Sequence, residues 1–469
     1  MKNKAWFVKL GQNVESADNP TAFRTQRFKI ALVSSLAGKG VSIVSQLLAL
    51  PLAISALGVD RFGIYAMLVA LLTWVNMATV AITPGLTVQI VDARSTGERE
   101  AEVKVFTTAL LFAVAAALCV FIGVRLFIHA VGIEHLFGRV SLPYLNEVDF
   151  GLQILLAFMS LSLVLCVVEG AQAGYQNQFI NNLFGMLGSI FNIIAIVVIV
   201  VQSPSIPDLI LAIYGVPLFA RILNAVHLFW FHRHLLPQRR MFSFAALRAM
   251  LTTSSAFLLT ALGTFFYQSF SIYWVGHELG PAYAAQMSVM MLVLNLAGSL
   301  LITVTQPLWP AIQDALKRGD LPWVRSAYRR ILRTLVPYIA LAAIALALGG
   351  EYILGFWLKS GVHIDLTKRL LWGVYFFIVT WEHLNYTVLM GMSRFWFASV
   401  IFSAGALVMV VASVLLVQKI GIDGLFISLC LGPLLLSTWL YPLEIRRLLS
   451  GRLNATTPTV HHGQNGAGR

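Results

Sequence analysis

Polar side chains recur along one face of an apolar stretch near the start of the chain. Ser35, Lys39, Ser42 and Gln46 follow one another at spacings of four, three and four residues, which puts them on one side of a helix. A later apolar stretch repeats the arrangement with Thr253, Thr260, Thr264, Gln268 and Ser271. Hydroxyl residues alone would fit close helix packing. A glutamine in both stretches points instead to a hydrated cavity that holds the polar groups of a ligand. Charges are the sharper signal, because an ionised group at membrane depth costs several kcal/mol unless it is paired or wetted. Arg221 and Lys39 would give such a cavity a cationic, anion-binding lining; the alternatives are a structural ion pair for Arg221 and a snorkelling side chain for Lys39. Glu382 and His383, adjacent in another apolar stretch, are candidates for taking up and releasing a coupling ion, or else a pair that fixes helix packing. Glu169 is a third coupling candidate, or a solvated helix end. Asp92 and Asp314 stand at equivalent stretch ends beside Arg94 and Lys317-Arg318, and read as interface anchors or gating contacts. There is no phosphate-cradling glycine loop, metal-ligand spacing or nucleophile elbow. No catalytic residue, metal or other cofactor is therefore expected, apart from Na⁺ or H⁺ as coupling ion.

The elements that must position these residues form an internal repeat. A shift of 222 positions lays Ser42 on Thr264, Gln46 on Gln268, Leu57-Gly58 on Leu279-Gly280, Asp92-Ala93 on Asp314-Ala315 and Gly97-Glu98 on Gly319-Asp320. A fixed offset held over that distance marks two similar halves. The two polar stripes then lie on equivalent helices and would face a shared cavity between the halves.

The chain has 469 residues, of which 58% are hydrophobic and 11% charged, whereas soluble domains carry about a quarter charged residues. Apolar runs of about twenty residues, long enough to cross a bilayer as helices, recur along nearly its whole length. The expected fold is all-α integral membrane, with twelve transmembrane helices in two pseudo-symmetric six-helix lobes. Residues 1–29 read as a basic cytoplasmic N-terminus with no cleaved signal peptide, 30–231 as the first lobe, 232–248 as a cytoplasmic linker, 249–446 as the second lobe and 447–469 as a disordered cytoplasmic tail. Six crossings per lobe make the repeat parallel, with a site between the halves. The net charge of +13 does not imply nucleic acid, because the Lys and Arg residues gather in alternate loops and obey the positive-inside rule. Cys119, Cys166 and Cys430 all fall in apolar spans and read as packing residues. A membrane-embedded enzyme would need a sizeable outward loop, and those expected at 131–149 and 350–368, the latter following a ninth span at 329–349, are short.

Gly38-Lys39-Gly40, followed by Leu57-Gly58-Val59-Asp60-Arg61-Phe62-Gly63-Ile64-Tyr65, resembles the first two spans of bacterial polysaccharide exporters of the O-antigen (Wzx-type) flippase group, in the superfamily shared with multidrug and toxin extruders. Asp92-Ala93 to Gly97-Glu98 and the turn Ala173-Gly174-Tyr175-Gln176 carry the same resemblance. One departure is Ile82-Thr83-Pro84-Gly85, where many relatives have an acidic residue before the glycine. The resemblance implies a flippase in the bacterial inner membrane, with both termini cytoplasmic. It would carry an undecaprenyl-diphosphate-linked oligosaccharide between leaflets by alternating access, for lipopolysaccharide or exopolysaccharide synthesis. The implied partners are the lipid-linked substrate, membrane lipid, and polysaccharide polymerase and chain-length proteins, with no nucleic acid. Extruders of organic cations form the alternative branch; they use a carboxylate in the first lobe, and here the first span offers Lys39.

Overall fold

The computed structural model describes residues 20–137, 143–200, 202, 204–305, 308–358 and 365–450. Residues 1–19 of the expected basic N-terminus and 451–469 of the expected tail lie outside them. Among the described residues every regular element is a helix, as it must be where no water is at hand to satisfy backbone N–H and C=O groups. In the first lobe, α1 (Pro20–Leu72), a 3₁₀ turn at Thr73–Val75 and α2 (Asn76–Ser95) make two spans, because α1 turns back at Gly58. The next four are α3 (Arg99–Val131), followed by the short α4 (Ile133–Phe137), then α5 (Leu145–Gly174), α6 (Gln178–Val200), and α7 (Ile206–Ile210) joined to α8 (Val216–Phe231) by a π turn. The second lobe begins with α9 (Phe244–Phe265), a π turn at Phe266–Phe270 and α10 (Ser271–Leu279). It continues through α11 (Pro281–Thr305) with α12 (Leu308–Lys317), α13 (Leu321–Leu358), α14 (Leu366–Gly391), α15 (Phe395–Ile420), and α16 (Ile422–Leu435) with α17 (Ser437–Leu449). The helices follow the order of the twelve expected crossings; among the described residues ten stretches are long and apolar enough to cross a membrane, that at Val33–Ser95 holding the first two crossings, and α14 is not among the ten. The ninth crossing differs in length, since α13 starts before residue 329 and stays helical through 350–358, which shortens the outward loop expected there.

The repeat is written into the backbone. Gly58 (φ 76°, ψ 168°) and Gly280 (φ 109°, ψ 163°) occupy a left-handed region that only glycine enters freely, and both turn the chain between the first two spans of a lobe. Gly97 (φ 73°) and Gly319 (φ 77°) do the same after the second span of each. At the turn after the fourth span the N–H groups of Tyr175, Gln176 and Asn177 donate to the carbonyls of Ala171, Ala173 and Gln172; Met392, Ser393 and Arg394 donate in the same pattern to Val388, Met390 and Leu389. Gln176 and Ser393 share a φ of 59°. The offset there is 217, five residues less than in the first spans, so a fixed-offset reading of the sequence loses the repeat at this point.

Packing divides the molecule along the membrane normal. At the end opposite the basic loops the lobes share one apolar core: Leu57, Phe62, Ile64 and Met67 of the first lobe join Val275, Ala284, Met287 and Met290 of the second. The backbones nearly touch at this end, and a Cβ on Gly63 would lie 1.9 Å from the carbonyl oxygen of Pro281. At the basic end the cores separate. Ile82, Leu86, Phe106, Leu163 and Val167 form one, with Met250 the contribution of α9, while Ile312, Val324, Val388, Ala398 and Tyr441 form the other. The lobes therefore part toward the basic end, joined there along α2 and α9, where Ser254 Oγ accepts from the Gly85 N–H at 3.1 Å and Gln89 Nε2 donates to Ala246 O at 2.9 Å.

Candidate functional site

The second lobe gathers Thr260, Thr264, Gln268, Glu382 and His383 into one cavity, while Thr253 and Ser271 bond to carbonyls of their own helical limb and Asp314 lies away from it. Thr260, Thr264 and Gln268 of the α9 limb, Asn295 and Gly298 of α11, and Glu382, His383 and Tyr386 of α14 line about 270 Å³. Its polar groups are mostly satisfied by one another. Thr260 Oγ1 lies 2.9 Å from Tyr386 Oη and donates to Ser399 Oγ at 2.8 Å; Gln268 Nε2 donates to Asn295 Oδ1 at 3.0 Å; Thr305 Oγ1 and His383 Nε2 are 3.0 Å apart. Glu382 is the exception. It is 3% exposed, and among the described residues neither carboxylate oxygen has a hydrogen-bond partner, the neighbouring Ser437 hydroxyl donating instead to the Pro433 carbonyl at 3.3 Å; the hydroxyl of Tyr267, also on the cavity wall, has none among them either. An unpaired buried carboxylate pays its full desolvation cost, so this is where the fold would gain most from taking up a proton or a cation.

The face of α9 bearing Thr260, Thr264 and Gln268 also lines a second space of about 440 Å³ against Thr73, Asn76, Met77 and Val80 of the first lobe. The threonine stripe thus lies between the lobes. Its counterpart on α1 is wetter: Gln46 is exposed and donates to Ser42 Oγ at 3.1 Å. Lys39 reaches across the gap, and its Nζ donates to the Ser299 carbonyl at 3.4 Å.

In the first lobe the structure joins two residues that the sequence treated separately. Arg221 Nε lies 3.0 Å from Glu169 Oε1, with the side chains 41% and 30% exposed. This half-wet pair caps a chain of amides. Asn181 Nδ2 donates to Glu169 O, Asn224 Nδ2 to Asn181 Oδ1, and Gln172 Nε2 to Asn224 Oδ1, with His227 Nδ1 3.2 Å from Gln172. The network links α5, α6 and α8, and of its members the sequence singled out Glu169 and Arg221. Asp314 pairs with Arg318 on its own helix at 2.9 Å, and Asp92 lies exposed at the end of α2. Sequence reasoning missed a cluster at the basic end altogether. The Tyr175 hydroxyl donates to buried Glu102, His234 Nε2 approaches the same carboxylate at 3.2 Å, the Arg94 guanidinium covers the Tyr175 ring at 4.7 Å, and His232 stacks on that ring at 4.1 Å. The cluster pins the inter-lobe linker to the first lobe. Burial, then His234 and Arg94, pull the His232 pKa down to about 4. The signal that could have found it is an acid, Glu102, in the first turn of an apolar helix.

Comparison with known families places this arrangement. A family described as "Polysaccharide biosynthesis protein" matches residues 56–358. The chain belongs to that family. Comparison with curated protein sequences gave no match. Among solved structures, the chain is similar to an inward-facing multidrug resistance MATE family transporter of the MOP superfamily, with a TM-score of 0.73 at 14% identity over 89% of this chain and 98% of that one. It is also similar to an outward-facing transporter of the same description, at TM-score 0.62, 15% identity, and 91% and 96% coverage. A third is a MOP superfamily transporter from Pyrococcus furiosus, described as having a binding pocket of reverse polarity, at TM-score 0.60, 15% identity and the same coverage. The chain is therefore a multi-pass membrane protein with the MATE-type fold, as its first two spans suggested.

Proposed function

We propose that this protein is a flippase that carries an undecaprenyl-diphosphate-linked oligosaccharide from the cytoplasmic to the periplasmic leaflet of the bacterial inner membrane, driven by an Na⁺ or H⁺ gradient. The observation that carries the reading is the packing division: one shared core at one end, two separate cores at the basic end, and polar groups from both lobes in the gap between. That is the form alternating access requires, with the gap open toward the end whose loops carry the Lys and Arg residues. Both termini and the linker would then be cytoplasmic. Polysaccharide polymerase and chain-length proteins would be the downstream partners.

In this reading a diphosphate entering the gap competes with Glu169 for Arg221, since a guanidinium offers paired donors to either group. Lys39 supplies a second positive charge, while Ser42, Gln46, Thr260, Thr264 and Gln268 meet sugar hydroxyls. Glu382 takes the coupling ion, with His383 beside it, and Asp92 and Asp314 act at the cytoplasmic mouth. The test is translocation of a fluorescent undecaprenyl-diphosphate oligosaccharide in proteoliposomes, with and without an ion gradient. Gradient-stimulated movement, lost on Arg221→Ala, is expected. A specific observation supports a second reading, export of an organic cation: the uncompensated Glu382 carboxylate faces an aromatic cavity, and the structurally similar MATE proteins are multidrug transporters. Uptake of a small organic cation by the same vesicles, with no movement of the glycolipid, would decide for it.

A further inference from the structure

The first third of α13 carries four arginines, three of which neither the fold nor the proposed transport cavity uses. Arg325, Arg329, Arg330 and Arg333, with Ser326 and Thr334, line an open groove of about 610 Å³. Arg325 has a structural task, its guanidinium donating to the Leu449 carbonyl at the end of α17. The other three are exposed, and none has a carboxylate partner among the described residues. Their spacing places Ser326, Arg329, Arg330 and Arg333 on adjoining ridges of one helix face, so the guanidinium groups and the Ser326 hydroxyl converge on the same groove.

Depth on the helix fixes what this groove faces. Residues 334–350 carry no charge, a stretch of about 25 Å at 1.5 Å per residue, close to the ~30 Å hydrocarbon thickness of a bilayer. Glu351 follows directly, and on the other side of the apolar stretch comes Arg333. Exposed Trp323, a residue type favoured at the membrane interface, stands two residues before Arg325. The arginines therefore lie in the headgroup layer at the basic end.

The repeat argues that topology alone does not call for them. At the equivalent positions of α3, which crosses in the same direction, stand Val103, Thr107, Thr108 and Leu111. There the face is covered by the linker, since the Gln238 and Ser243 N–H groups donate to Thr107 Oγ1 at 3.3 Å and Thr108 Oγ1 at 3.0 Å. The chain leaving α17 occupies the place in sequence that the linker has in the first lobe, but residues 450–469 contain Arg452, His461, His462 and Arg469 and no acid. Such a segment is the wrong charge to neutralise this face.

We infer that the arginine face of α13 is a binding site for the phosphate of a lipid headgroup at the basic-end membrane surface. Its chemistry is paired guanidinium donors with the Ser326 hydroxyl around a phosphate oxygen cluster, the Thr334 hydroxyl being bonded to the Arg330 carbonyl at 2.9 Å, and it is separate from Arg221 and Lys39 in the gap. Two lipids present that chemistry: an isoprenyl diphosphate and an anionic phospholipid.

The test uses full-length protein in phosphatidylcholine nanodiscs, titrated with farnesyl diphosphate and with short-chain phosphatidylglycerol. Wild type is expected to bind at least one of them, more weakly as salt rises, with at least a tenfold loss in the triple variant Arg329→Gln, Arg330→Gln, Arg333→Gln. The triple lysine variant, which keeps the charge but not the planar fork, should recover part of the affinity, while Arg248→Gln, which removes one exposed positive charge from the start of α9, should leave it unchanged; these two separate a local loss from misfolding and this site from the general positive charge of the basic end. Tighter binding of farnesyl diphosphate assigns the groove to the carrier lipid, and tighter binding of phosphatidylglycerol assigns it to bulk lipid. Failure of wild type to bind either probe, or equal binding by wild type and the glutamine variant, overturns the proposal.

Discussion

The two lobes share a backbone and differ in chemistry. Gly58 and Gly280, Gly97 and Gly319, and the turns at Gln176 and Ser393 match in conformation, because they set how the helices re-enter the membrane. The ionisable groups do not match. With the 217 offset of the fourth span, Glu169 corresponds to Tyr386 and Glu382 to Leu165. The first lobe holds its carboxylate half-exposed and paired with Arg221; the second holds its own one helical turn farther from the basic end, buried and unpaired. Likewise His383, beside Thr305, corresponds to Cys166, beside Thr83. The repeat thus preserves the turns that set the helix arrangement and leaves the ionisable positions free to differ. In such a pair of halves, a paired charge is suited to exchanging partners and an unpaired one to capturing an ion.

The comparison can be broken most forcefully at the contact that joins the lobes. Gly63→Val places side-chain atoms where the Pro281 carbonyl already stands. Overpacking against backbone should cost about 3 kcal/mol or more, seen as a large fall in thermal stability or as labelling of a cysteine at position 67 from the opposite side of the membrane. The same change at Gly40, whose Cβ would meet nothing, should cost less than about 1 kcal/mol. Next is Glu382→Gln, which removes the charge and keeps the shape. If the second lobe's carboxylate is uncompensated, the variant should be more stable than wild type by about 1–2 kcal/mol and should lose gradient stimulation; lower stability would show that Glu382 has a partner. Arg221→Ala should cost about 1 kcal/mol, given the pair's exposure, and Glu169→Gln in the same chain should restore most of it. Absence of that coupling in a double-mutant cycle would remove the pair from the comparison.

The smallest effect concerns pH. His232 has its pKa held down to about 4 by burial and by neighbouring positive charge. The unfolded chain binds a proton near pH 6.5 and the folded chain does not. The resulting stabilisation is complete above about pH 6.5 and is lost as pH falls toward 4. Between pH 7 and 5, wild type should lose more than His232→Phe, by at most about 2 kcal/mol before solvent screening reduces it, a difference readable in paired melting curves.

Much of this was legible in the sequence because it is periodic or repeated. The threonine and glutamine stripe of the seventh span needs only helical spacing to be seen, and it does line a cavity with Glu382 and His383. The glycine turns needed only the fixed offset. The Arg221 to Glu169 pair was not legible, since nothing local ties residues so far apart in sequence, and the five-residue change of offset hid the correspondence of Glu169 with Tyr386. The cluster around Glu102 stayed hidden for another reason: an acid in a first helical turn is common for its dipole alone, and only the fold brings Tyr175 and His234 to it.

The shared core at the end opposite the basic loops also sets the resting balance of the molecule. Parting the lobes there would admit water onto Phe62, Ile64, Met67, Val275, Met287 and Met290, all at most 3% exposed, and wetting a fully buried apolar side chain costs about 1.5–3 kcal/mol. The basic end, lined in part by groups that water already reaches, carries a smaller penalty. Under the proposed alternating access, the equilibrium without a ligand would therefore be tilted toward the state seen here, and each cycle would have to be driven uphill before it could return by itself.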